Sequence, residues 1–288
     1  MTAFTQRHEP QPYTRARRSV FTTTMTALSV APRVFDLEQP RTEDMPIHPS
    51  HKPGYSYALH RRHADSAGED GPRTGASGII FCKEHSGTHI DALCHQAENM
   101  TLCGGIKVEP AVVNSKGFRV HSVDQIAPIV APGVLLDLAS QLGVESVSEG
   151  VAISADDLKA CARRQGTQIA PGSVVVVYTG NERHWHDEAR YLAGPGMHGD
   201  ASRWLAAQHP LAVGADNMAW DIIGLKDEAL GCTLPGHIIF LVRSGVYIIE
   251  NLKLGELAAA RQYAFTFVCA PLKFVGATGS PVRPLALA

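Results

Sequence analysis

Apolar positions along this chain fall into short β-branched runs separated by stretches with helical spacing, and the two kinds alternate. Val34-Phe35-Asp36-Leu37 reads as a first short strand, and Ala76 to Cys82 (A-S-G-I-I-F-C) as a short buried one. Gly133 to Leu138 is a further buried strand. Pro171-Gly172 then turns the chain into Ser173 to Tyr178, whose continuous valine run predicts a strand covered on both faces. Ala212 to Asp216, Ile238 to Val242, Val246 to Ile249 and Tyr263 to Cys269 complete the strands. Between them, Ser154 with Asp157 three residues later predicts a capped helix through about Gln165, and Ala201 to Gln208 a second. Pro46, Pro49 and Pro53 force an irregular loop that could overhang a site. Strand–helix–strand alternation predicts an α/β fold with a mixed or parallel sheet. There is no internal repeat and no phosphate-binding glycine loop.

The first thirty residues break this pattern. Met1 to Ser29 is rich in Thr, Arg, Pro and Gln and lacks apolar periodicity, which predicts a flexible extension over residues 1–32 before a single domain over 33–288. Arg17-Arg18-Ser19-Val20-Phe21 faintly resembles a twin-arginine signal, but Thr22 to Leu28 is too polar and short for its apolar region. The 288 residues are 44% hydrophobic and 19% charged, enough for a sizeable core. A net charge of −2 without a basic stripe argues against a nucleic-acid partner. No apolar run reaches the roughly 20 residues that span a bilayer. The six cysteines are scattered without C-x-x-C pairs, which suits reduced structural thiols in a cytoplasmic protein.

Histidine is distributed unevenly. Of 14 in the chain, three fall in the run His85-Ser86-Gly87-Thr88-His89-Ile90-Asp91-Ala92-Leu93-Cys94-His95, together with an aspartate. Imidazole and carboxylate together suit a divalent transition metal, and such a cluster is costly to bury without a cation. The bland alternative is a loop of solvated histidines, which the apolar Ile90, Ala92 and Leu93 argue against. His85 and His89 share a face if the backbone turns there, and His89 and Asp91 share one if it is extended, so the segment must pass from turn to strand. Gly87 supplies the freedom for that junction. Cys94 would point away from His95 in an extended segment.

A second cluster comes from elsewhere in the chain. His237 precedes the predicted strand Ile238 to Val242, and Glu250 follows Val246 to Ile249. Two antiparallel strands would bring both to one sheet edge. Each also has a plain reading, His237 as a turn residue and Glu250 as an acid starting a helix.

These residues resemble the signature of the metal-dependent cyclase-like hydrolases, a family that includes bacterial kynurenine formamidase (an arylformamidase) and isatin hydrolase. The resemblance rests on His85-x-Gly87-Thr88-His89-x-Asp91-x-x-x-His95. Val34 to Leu37 with Met45-Pro46, Tyr178-Thr179-Gly180, Gly194-Pro195-Gly196, and the Gly236-His237 to Glu250-Asn251-Leu252 segment follow in the expected order, over roughly residues 33 to 275. It implies a swivelling β/β/α-type domain with a mixed sheet and flanking helices, assembled as a homodimer or homotetramer and acting on a small-molecule substrate. It further implies His85, His89 and Asp91 on one metal ion, zinc or manganese. Asp91 would bridge to a second ion, if present, held also by His237 and Glu250, and His95 would transfer protons.

The chemistry implied is metal-dependent hydrolysis of a C–N bond in an amide, formamide, cyclic amide or imide, with lactones or a ring-forming reaction in secondary metabolism as the alternative. Two positions depart from the family pattern. Leu93 stands where proline is common, and His48 where the formamidases carry a tryptophan, which removes a stacking contact for an aryl ring. Trp185, Trp220 and Tyr178 read as core residues. Asn181 to Asp187 reads as a polar loop near the mouth of the site, and Asp216 and Asp221 as acids that orient ligand imidazoles.

Overall fold

Four parallel strands make the centre of the sheet because their sequences are apolar on both faces. In chain order the sheet strands and the hairpin beside them are β1 (Val34–Asp36), β2 (Tyr55–Arg61), β3 (Ser77–Cys82), β4 (His89–Asp91), β5 (Ile129–Asp137) and β6 (Val174–Tyr178). They continue as β7 (Ala212–Ala215), β8 (Tyr247–Glu250), β9 (Ala264–Cys269), β10 (Gly279–Pro281) and β11 (Leu285–Leu287). The main sheet has nine strands in the order β1-β11-β9-β5-β6-β7-β8-β4-β10. β5, β6, β7 and β8 run parallel, while every pairing outside them is antiparallel. The fold is a mixed α/β domain, as expected. The computed structural model describes residues 32–288, and Arg33–Ala288 forms one compact unit. The expected extension over 1–32 lies, but for its last residue, outside the described residues.

Every residue of β6 is buried. Val175 and Val177 pack with the helices α1 (Ala155–Gln165) and α2 (Gly199–Ala206), against Leu158, Cys161, Ala201 and Leu205. Val174, Val176 and Tyr178 face Leu135, Ile249, Leu254 and Phe267 on the other side. α1 begins as its sequence predicts: the Ser154 hydroxyl accepts from the Asp157 N–H, and the Asp157 carboxylate accepts from the Ser154 N–H at 2.8 Å. Such a reciprocal cap is worth about 1 kcal/mol. Among the described residues no helix is long and apolar enough to cross a membrane.

Two expected strands behave differently. Ile238 to Val242 is helical: a turn at Pro235–His237 widens into a π-helix over Ile238–Ser244. Proline at the start and Gly245 at the left-handed end (φ 65°) are helix-boundary signals that outweigh a β-branched run. Phe240 and Leu241 are buried beside Trp220, in the layer that covers the sheet. The second difference is β3, which forms a strand but not a buried one. It pairs only with β2, and Tyr57, Leu59, Ile79, Ile80 and Phe81 are all exposed.

Candidate metal centre

The chemistry-bearing side chains meet at the C-terminal edge of the parallel strands. β4 carries His89 and Asp91, two apart on one face, as their spacing requires. β4 is antiparallel to β8 with His89 directly opposite Glu250. Cross-strand partners share a face, so this register alone brings Glu250 to the histidine motif. His85 enters from the turn before β4, where Gly87 holds φ 57°. The Arg41 guanidinium donates to the Ser86 and Thr88 carbonyls across that turn, and a Cβ on Gly87 would lie 2.7 Å from its Nη1. His237 comes from the first helical turn after Leu234, not from a strand start, so the two-strand argument for its position fails although its place at the site holds.

The resulting distances are short. His85 Nδ1 lies 2.8 Å from Asp91 Oδ1, and His89 Nε2 lies 3.5 Å from the same atom and 3.4 Å from Glu250 Oε2. His237 Nε2 is 3.3 Å from Glu250 Oε1 and 3.7 Å from Asp91 Oδ2. Asp91 is 1% and Glu250 5% exposed. His85 Nδ1, both Asp91 oxygens and Glu250 Oε1 are buried without a hydrogen-bond partner. Four convergent lone-pair acceptors away from water are costly unless a cation satisfies them. This donor set fits a divalent ion.

Two of the candidate imidazoles are held by the nitrogen that points away from the cluster. His89 Nδ1 donates to the Gly87 carbonyl at 2.8 Å. His237 Nδ1 pairs with Asp221 Oδ2 at 2.9 Å, and Asp221 Oδ1 accepts from the Gly236 N–H at 2.7 Å. Asp221 thus contacts one of the candidate imidazoles, while Asp216 is turned to Thr179 and the Glu182 N–H instead. Sequence reasoning missed Asn251, whose Nδ2 donates to the Gly87 carbonyl at 2.9 Å and whose Oδ1 accepts from the Tyr191 hydroxyl. Its positive φ of 56°, right after the strand that ends at Glu250, was the available signal only in retrospect.

His95 follows a turn closed by its N–H on the Ala92 carbonyl, at 2.9 Å. Leu93 occupies the second position of that turn, one that proline favours, so the departure at 93 leaves the backbone route intact. The His95 ring stacks on His85 at 4.0 Å and stands 6.0 Å from His237. Ligand atoms of His85, Asp91 and His95 lie within 4.8 Å of one another, as do those of His89, Asp91 and Glu250. Asp91 belongs to both groups, which suits the bridging role, but the first group contains His95 rather than His89.

Burial opposes charge on all of these groups and prevails at His95, His89 and Glu250. It pushes His95 down to about 3 against the opposing pull of Asp91, and His89 down to about 4. Burial and then Asp91 push Glu250 up to about 7. Burial opposes the charge on His237, yet Asp221 and Glu250 together hold its pKa well above the usual imidazole value. In Asp91 burial is outweighed by His95, His85 and His89, which keep the carboxyl ionised.

A cavity of about 180 Å³ opens onto these side chains, walled by Ile47, His48, His51, Gln96, Met218 and Leu234. The proline-interrupted loop does overhang the site. Trp185, Trp220 and Tyr178 are buried in the core and take no part in the lining. Nor do residues 181–187, whose first part forms a short 3-10 turn elsewhere.

A family model described as a putative cyclase matches residues 35–222, the histidine motif included. The chain belongs to this cyclase family. Isatin hydrolase of Roseibium aggregatum is 27% identical to this cyclase-family chain over 228 residues, 76% of each protein. Cyclase-like protein 2 of Oryza sativa subsp. japonica is 24% identical over 201 residues, 69% of this chain and 60% of the rice protein, so the chain spans less than two thirds of that relative. A crystal structure described as a novel cyclase superposes with a TM-score of 0.79 at 27% identity, covering 89% of this chain and 87% of the other. The matched family region ends before His237 and Glu250, whose place beside the histidine motif is shown by the geometry.

Proposed function

We propose that this chain is a metal-dependent hydrolase of a C–N bond in a formamide, amide, cyclic amide or imide other than a peptide. One observation carries the reading: four unpartnered buried acceptor atoms converge beside a neutral histidine at the floor of a small cavity. Isatin hydrolase among the relatives supports it. In this reading His85, His89, Asp91, His237 and Glu250 hold zinc or manganese, with Asp91 shared when two ions bind. A divalent cation there supplies Lewis acidity, which draws the pKa of water towards neutrality and polarises a carbonyl. In this role His95, stacked on His85 at 4.0 Å, takes a proton from water and returns it to the departing nitrogen. His48, which stands where the formamidases carry a tryptophan, lines the cavity wall beside His51, which favours a compact polar substrate over a large aryl one. The exposed apolar β2–β3 ribbon supports assembly as a homodimer or homotetramer. The six unpaired cysteines suit a reducing, cytoplasmic setting.

The test is to strip the purified protein of metal, reload it with Zn²⁺ or Mn²⁺, and assay formamides, imides and lactones alongside metal analysis. Cation-dependent turnover of at least one C–N substrate is expected. Turnover confined to lactones, or none with metal bound, overturns the bond assignment.

A further inference from the structure

His85 is held differently from the other ligand imidazoles. His89 and His237 are each tethered through Nδ1, which leaves Nε2 facing the centre. In His85 the tether is at Nε2, which lies 2.8 Å from Thr278 Oγ1. The direction of that bond follows from the next one. Thr278 Oγ1 lies 2.6 Å from Glu84 Oε1, and the Thr278 N–H donates to Glu84 Oε2 at 3.0 Å. A carboxylate only accepts, and a hydroxyl has one proton, so that proton is committed to Glu84. The remaining contact must then be His85 Nε2–H donating to the threonine oxygen. In the neutral ring that metal binding requires, Nδ1 is then left as the lone pair, 2.8 Å from an Asp91 oxygen.

Gly279 adds an independent steric constraint. A Cβ there would lie 2.7 Å from His85 Cε1 and 3.1 Å from Nδ1. Gly279 is opposite Asp91 in the β10–β4 pairing, and the Thr278 carbonyl accepts from the Ala92 N–H at 2.9 Å. The same two residues thus seat the ring and lock their strand to the one that carries Asp91. We propose that Glu84, Thr278 and Gly279 are positioning residues that hold His85 as the Nε2–H tautomer, so that it meets the cation through Nδ1 while His89 and His237 use Nε2. Thr278 and Gly279 lie beyond both the matched family region and the stretch of the sequence resemblance.

This inference rests on the metal reading, and its test separates the two. Zn²⁺ is titrated calorimetrically into metal-free wild type, T278V, T278S and G279A, with the thermal unfolding of each metal-free protein recorded. T278V and G279A should bind about 10–100-fold more weakly, while T278S, which keeps the hydroxyl, stays within about 3-fold of wild type. T278V binding like wild type, or T278S falling as far as T278V, overturns the proposal. Wild type that takes up no Zn²⁺ overturns the metal reading itself, a separate result. Should T278V not fold, E84Q carries the same test with a loss of about 3–10-fold, because the hydroxyl proton is then less firmly committed. Histidine ¹⁵N spectra of the Zn²⁺-loaded wild type give a second readout: His85 should carry its proton on Nε2, and a proton on Nδ1 overturns the assignment.

Discussion

Two pairs of carboxylates sit along the same edge of the sheet, the buried Asp91 and Glu250 and the buried Asp216 with the half-buried Glu182, and only the first pair lacks donors. Asp91 and Glu250 are ringed by four imidazoles and keep three oxygens without a partner. The Asp216 charge likewise raises Glu182, yet backbone donors serve both carboxylates. Asp216 Oδ1 accepts from the Thr179 N–H and hydroxyl, both at 2.8 Å. Glu182 accepts from the Leu254 and Gly255 N–H groups that open the next helical turn. The lesson is about donors rather than acids. A buried carboxylate served by N–H groups is architecture, and one aimed at other lone pairs is a binding site.

The contrast can be broken most severely at Asp91, which belongs to both ligand groups. D91A should bring metal content close to zero and abolish cation-dependent turnover; full occupancy by elemental analysis would remove Asp91 from the centre. H95A comes next. If His95 transfers protons, it keeps its metal and loses about 10²-fold or more in kcat. Loss of metal in H95A would instead assign the ring as the third member of the His85–Asp91 group.

A smaller effect is expected from the cation on stability. Saturating Zn²⁺ at about 100 times Kd stabilises by about 2.7 kcal/mol, which for a domain of this size raises Tm by about 5–10 °C. The same titration on D91A should leave Tm unmoved, which separates site binding from adventitious uptake.

The smallest effect belongs to the architectural pair. Burial and then Asp216 raise Glu182 to about 7, and burial raises Asp216 to about 6, from ordinary values of 4.5 and 3.8. A raised carboxyl binds its proton more tightly in the folded state. Its stabilising contribution is therefore complete below the unfolded values of about 4 and is lost progressively from there until pH passes the folded values of about 6 and 7. Metal-free Tm should accordingly decline over that window, to which Glu250 also contributes, and E182Q should make the decline shallower, because the amide oxygen still accepts from Leu254 and Gly255 without a charge. An unchanged slope in E182Q would place the titration elsewhere.

Much of the frame was legible from local pattern. The β6 valines, the Ser154–Asp157 cap and the His89–Asp91 spacing each encode their geometry within a few residues, where sterics and hydrogen bonding act directly. Two elements were misread because a hydrophobic run states that it is apolar but not what it meets. Ile238 to Val242 became helical under Pro235 and Gly245, and β3 stayed exposed because no strand other than β2 lies beside it.

By itself the sequence determined which side chains could bind a cation and that His85, His89 and Asp91 would be neighbours. Only the tertiary structure decided that His89 faces Glu250 across a strand pair, that Asp221 holds the His237 ring while Asn251 holds the Gly87 carbonyl, and that Thr278 sets the nitrogen His85 presents. The physical reason is range. Spacing along a chain constrains groups that share one element, whereas register between β4, β8 and β10 depends on how the whole sheet packs and leaves no mark at the residues it joins.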